Sequence, residues 1–272
     1  MKELLKVKNL KKYFPIKRGI FRRQSGTIKA VDGVSFSIKE GKVIGLIGES
    51  GSGKSTVGRT AIRLVEPTEG EIEFLGQDFQ LASQSQLRRL RSKVQMVFQD
   101  PLASLNPRKT VLQNLGEPLL FHKKVSSHDE EIEEVKKILK NVGIPISTLN
   151  HYPHQFSGGQ QQRLSIGRAI GLQPKLVICD EAVSALDLSI QAQILNLLQS
   201  LKESYKLSYL FISHDLSIVR HFCDYILVMH RGKIVEEGIT ERIFQNPKHT
   251  HTQLLIASIP KRHPRNKKNL SL

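Results

Sequence analysis

Residues 42–56 read "KVIGLIGESGSGKST". The run from Lys42 to Gly48 is short, apolar and closed by glycine, the pattern of a buried strand. A helix is expected to follow from about Lys54 to Leu64. Between them Gly48, Gly53, Lys54 and Ser55 fit G-x-x-x-x-G-K-[ST]. That pattern builds a loop whose glycines let backbone amides wrap phosphates, while a lysine reaches the β- and γ-phosphates and a hydroxyl takes Mg²⁺. The whole loop, with Glu49, Ser50, Gly51, Ser52 and Thr56, is therefore a candidate nucleotide cradle.

The rest of the chain supplies the context such a loop requires. "EGEIEFLG", "VQMVFQ" (94–99), "KLVICDE" (175–181), "LSYLFISHD" and "YILVMHRGKIVEEG" read as strands. Residues 1–40 read as alternating strands around a basic loop. "SIQAQILNLLQSLKESY" reads as an amphipathic helix, and residues from about 100 to 152 turn helical. Strands separated by helices imply an α/β core with a largely parallel sheet. The helical stretch is expected to form a lobe inserted into it.

Composition narrows the class. A chain of 272 residues, 39% hydrophobic, is large enough to bury a core. No stretch approaches the roughly 18 apolar residues of a membrane span. The first residues lack the continuous apolar run of a secretory signal, so the cytoplasm is the expected location. The two cysteines, Cys179 and Cys223, fit no metal spacing and read as small buried hydrophobes. A net charge of +16 points to an anionic partner. Much of the excess sits in "KRGIFRR" (17–23) and "KRHPRNKK" (261–268), each read as solvated chain or as a contact for anionic lipid head groups.

Open α/β sheets bind ligands at the carboxyl ends of their strands, which is where the acids of "LVICDE" emerge. Asp180 there would hold Mg²⁺ through its water shell, and Glu181 would polarise an attacking water. His214, after "SYLFIS", reaches the same sheet edge and the γ-phosphate. Gln99, after "VQMVF", offers an amide to Mg²⁺ or the water. A second anion site opens the helix after "QFSGGQQQR" (155–163), where Ser157, Gly158, Gly159 and Gln160 precede a helical run.

Taken in order, the phosphate loop, Gln99, "FSGGQ", "LVICDE", "SALD" (184–187) and His214 resemble the ATP-binding subunit of an ABC transporter over nearly the whole chain. The resemblance implies a RecA-like parallel-sheet core, an antiparallel β subdomain and an inserted helical subdomain. It implies that Ser157–Gln160 meet the nucleotide held by a partner subunit, so that ATP joins two chains head to tail. It further implies that Tyr13 stacks on adenine, Gln99 couples the site to membrane subunits, and "SALD" lies on the dimer seam.

"FQDPLASLNPR" (98–108), "VSALDLSIQAQILNLLQ" (183–199) and "NPKHTHTQLLIASIP" (246–260) resemble the oligopeptide and dipeptide uptake branch, which also contains nickel importers. The stretch "IKRGIFRRQSGTIKAVDGVSF" (16–36) fits the second of its two paired ATPases. Three departures are small: Phe156 before the signature, Ala182 after the glutamate, and His249-Thr250-His251-Thr252 in the tail. No cysteine follows Cys223, so no iron–sulfur cluster is expected.

The expected organisation is an ATP-binding core with its β subdomain at 1–100 and 155–245, a helical subdomain at 101–154 with the signature (156–160) at its end, and a C-terminal extension and basic tail at 246–272. The expected cofactors are ATP and Mg²⁺. The expected partners are a paired ATPase (a different chain in this branch, a homodimer staying open), two membrane permeases and, indirectly, an extracellular substrate-binding protein. The place is the cytoplasmic face of the cell membrane, peripherally bound. Rival readings are a nickel importer, a soluble ATPase acting on nucleic acid, and a non-enzymatic scaffold. The one cassette, the compact lobe and the intact catalytic groups argue for import without nucleic acid. Glu181→Gln should leave ATP binding intact and trap the dimer while turnover falls steeply; near-normal hydrolysis would remove Glu181 from its role.

Overall fold

A computed structural model describes residues 2–18 and 23–259. The basic tail at 261–268 lies outside the described residues, as do 19–22 of the basic stretch. The elements are β1 (Glu3–Arg18), β2 (Arg23–Lys39), β3 (Val43–Ile47), α1 (Lys54–Ala61), β4 (Glu69–Phe74), β5 (Gln77–Asp78), α2 (Gln84–Arg91) and β6 (Val94–Val97). Then come α3 (Val111–Phe121), α4 (His128–Val142), α5 (Gly158–Ile170), β7 (Leu176–Asp180), α6 (Leu188–Tyr205) and β8 (Ser208–Ser213). The chain continues through α7 (Leu216–Phe222), β9 (Tyr225–His230), β10 (Lys233–Ile239), α8 (Thr240–Gln245) and α9 (Thr250–Ala257).

Two sheets organise these elements. The larger has the order β10-β9-β3-β8-β7-β6. Its strands β9, β3, β8, β7 and β6 run parallel, and β10 turns back antiparallel at the edge. The smaller is antiparallel, with the order β2-β1-β4-β5. The central parallel strands β3, β7 and β8 are buried at every residue. That is why they read as unbroken apolar runs, as strands covered on both faces do.

Strand alternation divides the core in two. From β8, Tyr209 and Phe211 point into a cluster shared with α3–α7, whereas Leu210 and Ile212 join one shared with the antiparallel sheet. From β7, Val177 and Cys179 take the first side and Leu176 and Ile178 the second. Val57 and Ala61 place α1 in the second cluster. Its Gly58 lies so close that an added Cβ would stand 2.7 Å from Ile212 Cδ1.

The helical stretch is built by capping as much as by propensity. Ser127 caps α4 from Glu130 N–H, three acids fill its first turn, and Gly143 closes it at φ 68°. Gly167 and Gly171 let α5 approach Ile138 of α4 closely. The lobe is tied to α5 by Arg163 donating to the Val142 carbonyl at 2.9 Å and Arg168 donating to the Asn114 carbonyl at 3.2 Å.

Two boundaries differ from the sequence reading. Helix α1 stops at Ala61 rather than Leu64, because Arg63 turns left-handed (φ 51°) and the amides of Leu64 and Val65 fold back onto the Arg59 carbonyl. β6 ends at Val97, leaving Gln99 in the following loop. Beyond the β9–β10 hairpin the chain forms α8 and α9, two helices that the sequence reading did not name. Phe211 is fully buried between β8 and the helices, so Phe211→Ala should cost about 3–5 kcal/mol. A urea titration would read this as a lowered midpoint.

Candidate functional site

The loop between β3 and α1 is held by backbone geometry that only glycine supplies. Gly48 has φ 150°, and an added Cβ would lie 2.2 Å from the Met229 carbonyl oxygen. Gly53 has φ 104°, and its added Cβ would lie 2.0 Å from the Ala30 carbonyl oxygen. The loop is moored from behind as well. Gly232 N–H donates to the Ser52 carbonyl at 3.0 Å, and Asp32 N–H donates to the Gly232 carbonyl at 2.8 Å.

Inside this loop Lys54 is only 4% exposed. Its ammonium donates to the carbonyls of Gly48 at 2.9 Å and Glu49 at 2.8 Å. Burial pulls its pKa below the ordinary lysine value, and the nearby carboxylates of Glu181 and Asp180 oppose the shift. The cation is thus kept at the head of α1 by polar groups of the loop itself.

Asp180, the last residue of β7, is buried and uses both oxygens. Ser55 Oγ donates to Oδ1 at 2.6 Å, and the Arg59 guanidinium pairs with Oδ2 at 3.2 Å. The sequence reading joined Ser55 to Asp180 but missed Arg59. The signal was available: Ser55 and Arg59 stand four apart on one face of α1. Two oxygen donors, a hydroxyl and a carboxylate, suit a hard cation such as Mg²⁺.

Glu181 follows in the left-handed region at φ 50°, uncommon for a residue with a side chain. Its N–H donates to the Ile212 carbonyl at 3.0 Å, which sets it beside the end of β8. There His214 Nδ1 lies 3.2 Å from Glu181 Oε2. Ser184 Oγ donates to the Glu181 carbonyl at 2.9 Å and accepts from Gln99 Nε2 at 3.4 Å. Gln99 therefore reaches the site through Ser184, and among the described residues it makes no direct hydrogen bond to Asp180 or Ser55.

Two groups of candidate residues stand apart. Ser157 caps α5, accepting from Gln160 N–H at 3.4 Å, while Gln160 Oε1 accepts from Ser157 N–H at 3.0 Å. Ser157, Gly158 and Gln160 are exposed, and their hydrogen bonds stay within their own helix start rather than reaching the Lys54 loop. Tyr13 is half-buried on β1, its hydroxyl donating to Asp32, with the Lys29 ammonium 5.4 Å from its ring centre. Burial and the Asp32 bond raise the Tyr13 pKa, the hydrogen bond contributing most, and the same bond lowers that of Asp32.

Known proteins share the family and the fold. A family model described as ABC transporter matches residues 31–184. The chain is 52% identical over 258 residues to the oligopeptide transport ATP-binding protein AppF of Bacillus subtilis (strain 168), spanning 94% of this chain and 78% of that protein. It is 46% identical over 262 residues to the dipeptide transport ATP-binding protein DppF of Escherichia coli (strain K12), spanning 96% and 78%. Among solved structures, a dimeric post-hydrolysis state of the ATP-binding cassette MJ0796 bound to ADP and Pi superposes with TM-score 0.77 at 32% identity, covering 87% of this chain and 99% of that one. CbiO1 of Clostridium perfringens superposes with TM-score 0.76 at 27% identity, covering 90% and 92%.

Gly53→Ala tests the loop. Forcing a side chain into φ 104° against the Ala30 carbonyl should destabilise the fold by about 1–2 kcal/mol. It should also weaken binding of a fluorescent ATP analogue at least about tenfold, roughly 1.4 kcal/mol. Equilibrium titration and urea unfolding measure the two effects.

Proposed function

The chain belongs to the ABC transporter family, as one of its ATP-binding proteins, and from that premise we propose that it is the ATP-hydrolysing subunit of an importer for oligopeptides or dipeptides. The observation that carries the chemistry is the 2.6 Å contact between Ser55 and Asp180, which joins the phosphate loop to the end of β7.

On this reading Lys54 exchanges the Gly48 and Glu49 carbonyls for oxygens of the β- and γ-phosphates, so the buried ammonium is never without acceptors. The amides of the loop from Gly48 to Thr56 wrap the phosphates, and Tyr13 stacks on adenine. Ser55 and Asp180, with Gln99 nearby, would hold Mg²⁺, which would supply neutralisation of the charge on the phosphates. Arg59 orients the Asp180 carboxylate for that task. Glu181 draws a proton from the attacking water, and His214 steadies the Glu181 carboxylate while facing the γ-phosphate.

The exposed start of α5 completes the site of a second ATP-binding chain. Its first N–H groups, at Gly158 and Gly159, have no intrahelical acceptors and suit a γ-phosphate presented from outside. Two chains face head to tail, with ATP as the joint between them. The partner is a related ATPase of the same importer, a homodimer being the alternative. Gln99 and the lobe at 101–154 carry the change to two membrane permeases, and an extracellular binding protein delivers the peptide. Among the described residues no helix is long and apolar enough to cross a membrane, which suits peripheral attachment at the cytoplasmic face.

Cargo is tested in cells lacking this chain. Growth on short peptides as the sole source of a required amino acid should be lost while uptake of labelled nickel stays normal. Normal growth with lost nickel uptake would move the protein to metal import and leave the ATPase chemistry standing.

A further inference from the structure

A second polar cluster includes Glu49 of the phosphate loop and shares no residue with the Ser55–Asp180 pair. β9 ends at His230, one residue past Met229, whose carbonyl presses on Gly48. The hairpin therefore delivers His230 beside the first residues of the loop. From the other direction, Glu236 on β10 accepts from the Lys248 and His249 amides at 2.8 and 2.9 Å and fixes the chain entering α9. His249 Nδ1 then accepts from His251 N–H at 3.1 Å and caps the helix. The result sets the His251 ring over that of His230, with centres 3.9 Å apart and planes 40° apart.

Three donors converge there. Glu49, His230 and His251 each offer one ligand atom, all within 4.8 Å of one another. His251 is only 7% exposed, and its Nε2 has no hydrogen-bond partner. A buried imidazole nitrogen left without a partner is costly, and native structures satisfy such groups with protein, water or an ion.

We propose that Glu49, His230 and His251 form a binding site for a divalent transition-metal ion of the Zn²⁺ class. Two imidazoles and one carboxylate are a three-ligand set with an open fourth position. Imidazole favours Zn²⁺, Cu²⁺ and Ni²⁺ and disfavours Mg²⁺, which seeks oxygen. The site therefore differs in residues and in chemistry from the Ser55–Asp180 pair. Bonds of ~2.0–2.1 Å in a tetrahedral set bring donor atoms to roughly 3.4 Å from one another. Contraction of the set achieves this, shared between Glu49, exposed on the loop, and rotation of the two imidazoles. The ion ties α9, the end of β9 and the phosphate loop together. Because the Glu49 carbonyl also holds the Lys54 ammonium, ion and nucleotide act on one segment of backbone.

The test uses the full chain, stripped with EDTA and titrated with Zn²⁺ against a chromophoric chelator. One saturable site per chain is expected, with affinity at least tenfold lower in His230→Asn, in His251→Asn and in Glu49→Gln, and unaffected by millimolar Mg²⁺. Zn²⁺ should also raise the melting temperature of the parent chain and of none of the three variants. Circular dichroism establishes that each variant folds. If His251→Asn does not, the half-buried His230 and the exposed Glu49 carry the comparison. Binding that never saturates, that survives in the His230→Asn/Glu49→Gln double variant, or that Mg²⁺ displaces would overturn the proposal. Binding of an ATP analogue to the stripped chain is measured in parallel, so failure of this site and failure of the nucleotide site are read separately.

Discussion

A lysine ammonium buried to the extent of Lys54 has to be surrounded by acceptors, and the whole centre of the molecule is arranged to supply them. The carbonyls of Gly48 and Glu49 do so directly, and they can because Gly48 and Gly53 take backbone angles closed to other residues. Those angles in turn press the loop against the Met229 and Ala30 carbonyls. The β9–β10 hairpin and the strand carrying Ala30 are therefore walls of the site, although no motif marks them. The position of one charge thus reaches from the first antiparallel strands to the last hairpin.

The parallel sheet adds the remaining groups by the same logic. β3, β7 and β8 lie side by side, and each ends at the same edge. Asp180 ends β7, Glu181 and His214 come one residue after β7 and β8, and Lys54 opens α1 across the loop from β3. Their convergence owes little to the side chains themselves. It follows from three apolar runs in parallel register, with Tyr209 and Phe211 packing one face and Leu210 and Ile212 the other.

The parallel core and the polar residues at its edge were legible because each depends on local signals: an apolar run, a glycine pattern, an acid at a strand end. Arg59 was overlooked because its role depends on a partner far away in the sequence and on the helix face it shares with Ser55. Helices α8 and α9 were missed because both are short and α9 shows little separation of apolar and polar faces. Gln99 stands two residues beyond the end of β6, and its amide bonds Ser184, a contact between distant stretches that no local signal marked. The meeting of Glu49, His230 and His251 had no local signature at all. It arises from the hairpin and from Glu236 gripping the amides ahead of α9.

Glu181 holds a left-handed backbone angle that glycine, asparagine or aspartate would accept more readily. Keeping a longer side chain there costs on the order of 1 kcal/mol or more. The Ile212 and Ser184 contacts hold the strained residue in place. On the proposed mechanism the strain aims the carboxylate at the water. Durability and turnover are then opposed at a single position. A search for hardier variants of this protein would be drawn to residue 181, and each success there would yield a sturdier chain with an idle engine.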